Sequence, residues 1–319
     1  MENFNPYPFI TNGWAQTITS SYIPTGKDKA PKNYHEICLG DGDRLMIAEN
    51  TPAGWKNGDK IIALVHGLSG HYQSFYMIRQ SKYFMSRGYK VIRINLRGCG
   101  PGLPIAKEIY HAGRSEDTLN VMKWIHRHYP DSPIIQIGFS LGGNITLKMT
   151  GEHAEELPET YKASVAISSP ILLDECSDHV HENRLFELYF LAHMRFEVLQ
   201  RKKMHPDNEF PKLPLLLKSL RHFDDSFTGP ILGFKNGQEY YDYASCKYHL
   251  DKIKKPTLIV GSKDDPIADV FNYYKIPNKE NIHIKITDEG GHVGFLGSKD
   301  KIRPSFWIDD YLHRWVENQ

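Results

Sequence analysis

Residues 134–144 read IIQIGFSLGGN and place one serine between an apolar run and a pair of glycines. The apolar run predicts a buried strand, and the residues that follow it predict a helix over about 141–150. Small residues two positions before and after Ser140, at Gly138 and Gly142, suit a crowded turn between a strand and a helix. A bare G-x-S-x-G pattern also occurs by chance, but the strand directly before it favours a nucleophilic serine at Ser140.

The same alternation of short apolar runs and longer amphipathic stretches continues on both sides of this motif. Strands that alternate with helices predict right-handed βαβ units, and therefore an α/β fold with a mostly parallel central sheet flanked by helices. An early segment, 34–48, adds one or two antiparallel edge strands around a turn at 40–43. The other predicted strands are 61–65, 91–96, 133–138, 163–167, 256–261 and 282–286, and further helices are predicted at 75–84, 118–128 and 306–316.

This alternation stops between Pro170 and about Tyr248. Residues 185–199 predict a long aromatic-rich helix and residues 213–220 a shorter one, and no strand-like run occurs in this stretch. From its length alone, a chain of 319 residues is expected to form about two domains. A helical insertion between two strands of one sheet explains the pattern better, so we predict a single domain over 1–319 with a helical cap at about 170–248.

Composition excludes several classes of protein. The chain has 39 Lys and Arg against 38 Asp and Glu, a formal charge of +1, which disfavours a nucleic-acid partner. No window has the roughly 18 consecutive apolar residues of a transmembrane helix, so no integral membrane segment is expected. The 4 cysteines form no CxxC pair and suggest neither a disulfide framework nor a zinc site. Residues 1–6 lack the features of a signal peptide, so we expect a cytoplasmic protein.

A serine nucleophile needs a base, and the base needs a carboxylate that orients it. On a strand-to-helix turn of this kind the chain order is serine, then acid, then histidine. Asp264 and Asp265 follow the predicted strand 256–261, and His292 follows the predicted strand 282–286. Each of these residues alone is a weak signal, because a loop aspartate is usually a turn former or a helix cap. Their order at successive strand ends predicts a triad of Ser140, one of the two aspartates and His292.

Two backbone amides are needed to stabilise the oxyanion that forms when a serine attacks an ester. The residue after the nucleophile, Leu141, supplies one amide by position. The loop His66-Gly67-Leu68-Ser69-Gly70 follows another strand and offers the second amide, which we assign to Leu68. Taken alone, this loop would be interpreted as a plain glycine turn.

These motifs resemble those of the α/β-hydrolases, and more narrowly those of the YheT-like branch of esterases, which is related to the α/β-hydrolase-domain lipases of eukaryotes. The resemblance implies the α/β-hydrolase fold and a triad of Ser140, one Asp of the 264–265 pair and His292. Members often carry Pro about four residues after the catalytic Asp; in this chain Asp269 occupies that place relative to Asp265. Of the two aspartates, we favour Asp265 over Asp264. The matching segments cover nearly the whole chain: Gly13–Thr17, with Trp14 where the branch usually has His, and 66–68, 95–100, 138–144, 223–241 and 263–266.

The predicted activity is the two-step hydrolysis of a carboxylic ester with a short or medium acyl chain, or of a lipid ester. His292 would take the proton of Ser140, Asp265 would fix the imidazole tautomer, and water would resolve the acyl-enzyme. This chemistry requires no metal and no organic cofactor. The apolar helix of the insertion would form a lid or an acyl pocket, or would pack on the rim of the sheet. The oligomeric state is left open.

Two alternative functions share these features. Acyl transfer to an alcohol uses the same acyl-enzyme and differs only in the acceptor. A non-catalytic binding protein on the same fold is disfavoured, because a binder has no use for a base aligned with a serine. A dehalogenase is disfavoured as well, because that chemistry uses an aspartate where this chain has Ser140.

Three other features are weaker candidates. His126 and Asp131 form an H-x-x-x-x-D pattern at the end of a predicted helix, far from the strand ends that carry the triad. Asn144 begins a formal glycosylation sequon inside the helix after Ser140, which we attribute to chance. Arg97 follows a strand and is expected either to contact and position residues of the active site or to hold the loop at 98–102.

Overall fold

The computed structural model describes residues 3–298 and 303–319, except residues 25, 27 and 29–31. Residues 1 and 2, part of the segment without signal-peptide features, lie outside the described residues. The strands are β1 (Asn33–Cys38), β2 (Arg44–Asn50), β3 (Ile61–Val65), β4 (Lys90–Ile94), β5 (Ile134–Phe139), β6 (Tyr161–Ile167), β7 (Thr257–Ser262), β8 (Ile282–Thr287), β9 (Leu296–Ser298) and β10 (Pro304–Phe306).

One large sheet has the strand order β1-β2-β4-β3-β5-β6-β7-β8. The pairs from β4 through β8 are parallel, whereas β1 with β2 and β2 with β4 are antiparallel. This confirms the predicted mostly parallel sheet and its antiparallel edge. In a parallel sheet the carboxyl ends of the strands lie on the same edge, so the residues after β3, β5, β7 and β8 come together there.

Helices cover both faces of this sheet. Apolar residues of β3 and β5 alternate between two buried clusters, one under the helices Phe75–Met85 and Trp307–Glu317 and the other under the helices Ser115–His128 and Leu141–Glu152. Central strands that are buried on both faces have continuous apolar sequences, which explains the run at 61–65. The helices are α1 (Gly13–Tyr22), α2 (Phe75–Met85), α3 (Ser115–His128), α4 (Leu141–Glu152), α5 (Leu173–Glu182), α6 (Arg184–Met204), α7 (Leu220–Phe223), α8 (Gly229–Ile231), α9 (Gly237–Ala244) and α10 (Trp307–Glu317).

The chain between β6 and β7 carries helices α5 to α9 and, among its described residues, no strand. The long helix predicted at 185–199 is present as part of α6. The helix predicted at 213–220 is wrong, because the chain is irregular up to Ser219 and a helix begins only at Leu220. Pro214 has no amide hydrogen for a helical bond. The Ser219 side chain instead accepts a hydrogen bond from the His222 amide and caps α7.

Several elements lack a prediction from the sequence pattern, among them α1, α5, α8, α9 and the strands β9 and β10. Helix α1 is capped by Asn12, whose side-chain oxygen accepts a hydrogen bond from the Ala15 amide at 2.8 Å. Its buried residues are mostly small or polar, so no apolar periodicity marks it. Strands β9 and β10 form a short antiparallel pair just before α10.

Candidate active site

Ser140 lies at the tip of the turn between β5 and α4, with φ 52° and ψ −122°. An L-residue rarely adopts a positive φ, and such strain is typical of functional turns. The flanking glycines are required by space. A Cβ on Gly138 would lie 2.2 Å from the Gly142 carbonyl oxygen, and one on Gly142 would lie 2.4 Å from the His66 carbonyl oxygen. The Ser140 amide donates to the Ile167 carbonyl at 2.8 Å, which ties the turn to β6.

Asp265 and His292 are in direct contact. His292 Nδ1 lies 3.0 Å from each carboxylate oxygen of Asp265. Asp265 Oδ1 also accepts hydrogen bonds from the amides of Ile267 at 2.8 Å and Ala268 at 2.9 Å, so the carboxylate is held from two sides. A carboxylate at Nδ1 favours the tautomer with the proton on that nitrogen, which leaves Nε2 as an acceptor.

Asp264 has a different set of contacts. Its Oδ1 accepts a hydrogen bond from the Gly291 amide at 2.9 Å, and its buried Oδ2 has no hydrogen-bond partner among the residues that the structure describes. Burial raises the pKa of Asp264 above its usual value. Asp264 therefore holds the loop that carries His292, whereas Asp265 contacts the imidazole itself.

The loop that carries His292 is held by α1 and by the end of β6. The Thr17 hydroxyl accepts a hydrogen bond from the His292 amide at 2.8 Å. The Ser168 hydroxyl accepts one from the Val293 amide at 3.0 Å. Because Ser168 directly follows Ile167, the partner of the Ser140 amide, the serine turn and the histidine loop flank the same strand end. Among the described residues, no hydrogen bond joins the Ser140 hydroxyl to the His292 ring; such bonds are often long before substrate binds.

The predicted oxyanion loop lies beside Ser140. A Cβ built on Gly67 would lie 3.0 Å from Ser140 Cβ, so the loop backbone passes close to the serine. Within the described part of the chain, neither the Leu68 amide nor the Leu141 amide donates a hydrogen bond to another protein group. Both residues line the same cavity as Ser140. Two unengaged amides next to a serine are the arrangement that an oxyanion requires.

His66 shapes this loop without entering the cavity. Its Nε2 accepts a hydrogen bond from the Leu96 amide at 3.1 Å, and its Nδ1 lies 2.8 Å from the Gly67 carbonyl oxygen. With Nε2 as an acceptor, Nδ1 carries the proton and donates it to Gly67. Burial lowers the pKa of His66 to about 4, so the ring is neutral at ordinary pH.

Tyr110 and Glu197 also hold this loop, and no sequence motif marked them. The Tyr110 hydroxyl accepts a hydrogen bond from the Ser69 amide at 3.0 Å and donates one to Glu197 at 3.0 Å. Ser69 has φ 53°, so the loop is strained at this point. Glu197 lies on α6, and this chain of contacts connects the helices between β6 and β7 with the residue that follows Leu68.

A cavity of about 350 Å³ lies over Ser140. Its wall is mostly apolar and is formed largely by the helices between β6 and β7, with Leu173, Val180, Phe190, Met194, Phe223 and Ile267 among its residues. Two acids line it as well, the partly buried Glu197 and the buried Asp224, which accepts a hydrogen bond from the Tyr241 hydroxyl at 2.6 Å. Burial raises the pKa of Asp224 to about 6. The volume and the apolar wall suit a small-molecule ligand.

The weaker candidates have other partners. Arg97 is buried and pairs with Asp117 at 2.7 Å and with Asp41 at 2.6 Å. It therefore connects the start of α3 and the turn between β1 and β2 to the loop at 98–102. The Asn144 side chain donates to the carbonyls of Ala112 and Ala244, and its amide nitrogen is therefore buried and engaged.

His126 and Asp131 do not contact each other. His126 lies 3.0 Å from the Thr160 hydroxyl, and Asp131 accepts a hydrogen bond from Asn57. Neither residue lines the cavity over Ser140. Their spacing in the sequence therefore has no counterpart at the candidate site.

Comparison with known proteins identifies the family to which this fold belongs. The family model described as alpha/beta hydrolase fold matches residues 60–298. The YheT protein of Escherichia coli is 30% identical over 89% of this chain and 84% of its own length. A human protein named phospholipase ABHD3 is 25% identical over 92% of this chain and 74% of its own length. The zebrafish protein named monoacylglycerol lipase ABHD2 is 26% identical over 92% of this chain and 75% of its own length.

The chain belongs to the alpha/beta hydrolase fold family, and the resemblance to the YheT-like branch is confirmed. Among solved structures, a Pyrococcus furiosus esterase has a TM-score of 0.58 at 19% identity and covers 90% of this chain and 93% of its own. The esterase domain of a Rhodothermus marinus protein has a TM-score of 0.54 at 16% identity, covering 90% and 99%. At such identities these structures support the fold. No helix in the described residues combines the length and the apolar character needed to cross a bilayer; the cytoplasmic location stays a prediction.

Proposed function

We propose that this protein is a serine hydrolase that cleaves carboxylic esters through Ser140, His292 and Asp265. One observation carries the proposal. His292 Nδ1 lies 3.0 Å from both oxygens of Asp265, at the edge of the sheet that also carries the strained turn of Ser140. A carboxylate, an imidazole with an unengaged nitrogen and a serine at a strand-to-helix turn are the parts of a nucleophilic triad.

In the proposed reaction, His292 Nε2 takes the proton of the Ser140 hydroxyl as the oxygen attacks the ester carbon. Asp265 stabilises the imidazolium that forms, and the amides of Leu68 and Leu141 stabilise the oxyanion. The imidazolium then gives its proton to the alkoxide leaving group, and an acyl-enzyme remains on Ser140. Water attacks this ester with His292 again as the base, and the carboxylic acid leaves.

We propose carboxylic esters with short or medium acyl chains, or lipid esters, as the substrates. The mostly apolar wall of the cavity favours an acyl chain over a charged group. Two relatives carry names that describe lipid ester cleavage, a monoacylglycerol lipase and a phospholipase. Within this proposal the chain is one domain, and the helices at about 170–248 are its cap over the site.

A fluorophosphonate probe tests the proposed nucleophile directly, because it phosphonylates an activated serine. We expect the wild-type protein to be labelled and the Ser140→Ala variant to lose both labelling and turnover of p-nitrophenyl butyrate. Ser86→Ala is the matched control, because Ser86 is exposed and, among the described residues, its hydroxyl bonds to Tyr83 and Arg87 of its own turn. Labelling that persists in Ser140→Ala would refute the assignment of Ser140 as the nucleophile.

A further inference from the structure

Helix α6 carries large apolar side chains on two faces. One face, with Phe190, Met194 and Val198, lines the cavity over Ser140. On the outer side, Leu185, Tyr189, Phe196 and Leu199 are each more than half exposed to solvent, and of these four Phe196 also lines the cavity. A helix that is apolar on both faces is normally buried on both, so the outer face lacks the covering that its composition calls for.

A second segment extends this outer face. Residues 211–218 lie beside α6, because Lys202, Arg195 and Arg184 donate hydrogen bonds to the carbonyls of Pro211, Pro214 and Lys218 at 3.3, 2.9 and 2.7 Å. The segment presents Leu215, 92% exposed, and Leu216, 73% exposed, next to the helix. We call the six exposed side chains the cap patch: Leu185, Tyr189, Phe196, Leu199, Leu215 and Leu216.

The stretch of chain that carries the cap patch has an excess of basic residues. Residues 184–218 contain 7 Lys and Arg against 4 Asp and Glu, a formal charge of +3 in a chain whose total is +1. Two of the four acids are engaged elsewhere, because Glu187 is fully buried and Glu197 accepts a hydrogen bond from Tyr110. Among the exposed charged side chains of this stretch, Arg184, Lys203, Lys212 and Lys218 outnumber Asp207 and Glu209 by two.

We propose that the cap patch docks on the surface of a bilayer that contains anionic phospholipids. An exposed apolar face bordered by lysines fits the boundary between headgroups and acyl chains, where the apolar side chains insert and the lysines meet phosphates. A protein partner would need a surface that is both apolar and acidic, whereas a bilayer supplies both properties. Because the opposite face of α6 lines the cavity, docking brings the wall of the candidate active site to the lipid.

The docking proposal rests on the proposed function in one respect, that the substrate ester comes from the lipid phase. Binding can therefore be measured without turnover. We would measure co-sedimentation with vesicles of phosphatidylcholine plus phosphatidylglycerol, and with vesicles of phosphatidylcholine alone. The test variant is Leu215→Ser with Leu216→Ser, neither of which lines the cavity. The matched control is Phe271→Ser with Tyr274→Ser, two aromatic side chains outside the patch that are 63% and 64% exposed.

We expect the wild type and the control to bind the anionic vesicles, more weakly in high salt or without phosphatidylglycerol. Loss of two inserted leucines should weaken binding at least about tenfold. The leucine variant should keep its turnover of soluble p-nitrophenyl butyrate, whereas Ser140→Ala should lose turnover and still bind vesicles. The docking proposal is overturned by vesicle binding that the leucine substitutions leave unchanged. It is overturned as well by a wild-type dimer that the same substitutions convert to a monomer, because a second copy would then cover the patch.

Discussion

Replacing Asp265 with Asn is expected to lower kcat by about four orders of magnitude with little effect on the fold. The amides of Ile267 and Ala268 donate to Asp265 Oδ1, and the carbonyl oxygen of an Asn can accept the same two hydrogen bonds. Its NH₂ group would then face His292 Nδ1. A donor in that place makes Nδ1 the acceptor and moves the imidazole proton to Nε2, the nitrogen that has to accept the proton of Ser140.

Four orders of magnitude in rate correspond to about 5.4 kcal/mol of transition-state stabilisation, at about 1.36 kcal/mol for each factor of ten. The cost to folding is much smaller, because Asn has the size of Asp and keeps the two backbone hydrogen bonds. We expect a loss of about 1 kcal/mol in the free energy of unfolding, the net value of one hydrogen bond. A large loss of rate with a small loss of stability is the signature of a catalytic group.

Asp264→Asn is the matched control, because it changes the neighbouring carboxylate in the same way. An Asn at this position can still accept the hydrogen bond from the Gly291 amide, and the other carboxylate oxygen of Asp264 has no partner to lose in the described part of the chain. We expect its kcat to fall by less than about tenfold, since only the position of the His292 loop is affected.

The assay is kcat for p-nitrophenyl butyrate together with the rate of fluorophosphonate labelling, with thermal unfolding measured for each variant. Both rates report on the nucleophilicity of Ser140, and the unfolding data separate loss of chemistry from loss of fold. The reasoning is refuted if Asp264→Asn loses more activity than Asp265→Asn. It is equally refuted if Asp265→Asn keeps more than about a tenth of the wild-type kcat.

Two further predictions concern groups around the cavity. Tyr110→Phe removes the acceptor of the Ser69 amide, so we expect kcat to fall about tenfold at nearly constant KM. Glu197→Gln keeps an acceptor for the Tyr110 hydroxyl and should retain most of the wild-type kcat. Steady-state kinetics of both variants test this prediction. The buried Asp224 holds its proton more tightly in the folded state, with a pKa of about 6, so its ionisation destabilises the fold as pH rises from about 4 to about 6. Asp224→Asn removes this cost, so its free energy of unfolding minus that of the wild type should be about 2 kcal/mol larger at pH 7 than at pH 4, measured by urea unfolding; a pH-independent difference would contradict it.

The parts of the fold that the sequence predicts are those where the core imposes a pattern. The central strands are buried on both faces and therefore appear as continuous apolar runs, as at 61–65 and 134–139. The segment 211–219 behaves differently, because its leucines have helical spacing but two of them face solvent and Pro214 interrupts the backbone. An apolar pattern predicts a helix only where those residues pack on something.

The candidate site was predictable to a different degree. Ser140, Asp265 and His292 each follow a predicted strand, and the edge of a parallel sheet brings such residues together. Tyr110 and Glu197 carry no comparable signal, because they are 41 and 87 residues away from their hydrogen-bond partners. Contacts over such distances depend on how the helices between β6 and β7 pack, which local sequence does not encode.

The loop of His292 shows why the N-terminal motif belongs to the site. Val293 and Phe295 have φ 59° and 45°, and a left-handed backbone costs about 1–3 kcal/mol at each such residue. Such a loop persists only if its surroundings supply compensating contacts, and α1 supplies several. Thr17 accepts from the His292 amide, and Gln16 accepts from the Leu296 amide and donates to its carbonyl. The Gly13–Thr17 element therefore holds the imidazole in position, although it lies some 275 residues away from it in the chain.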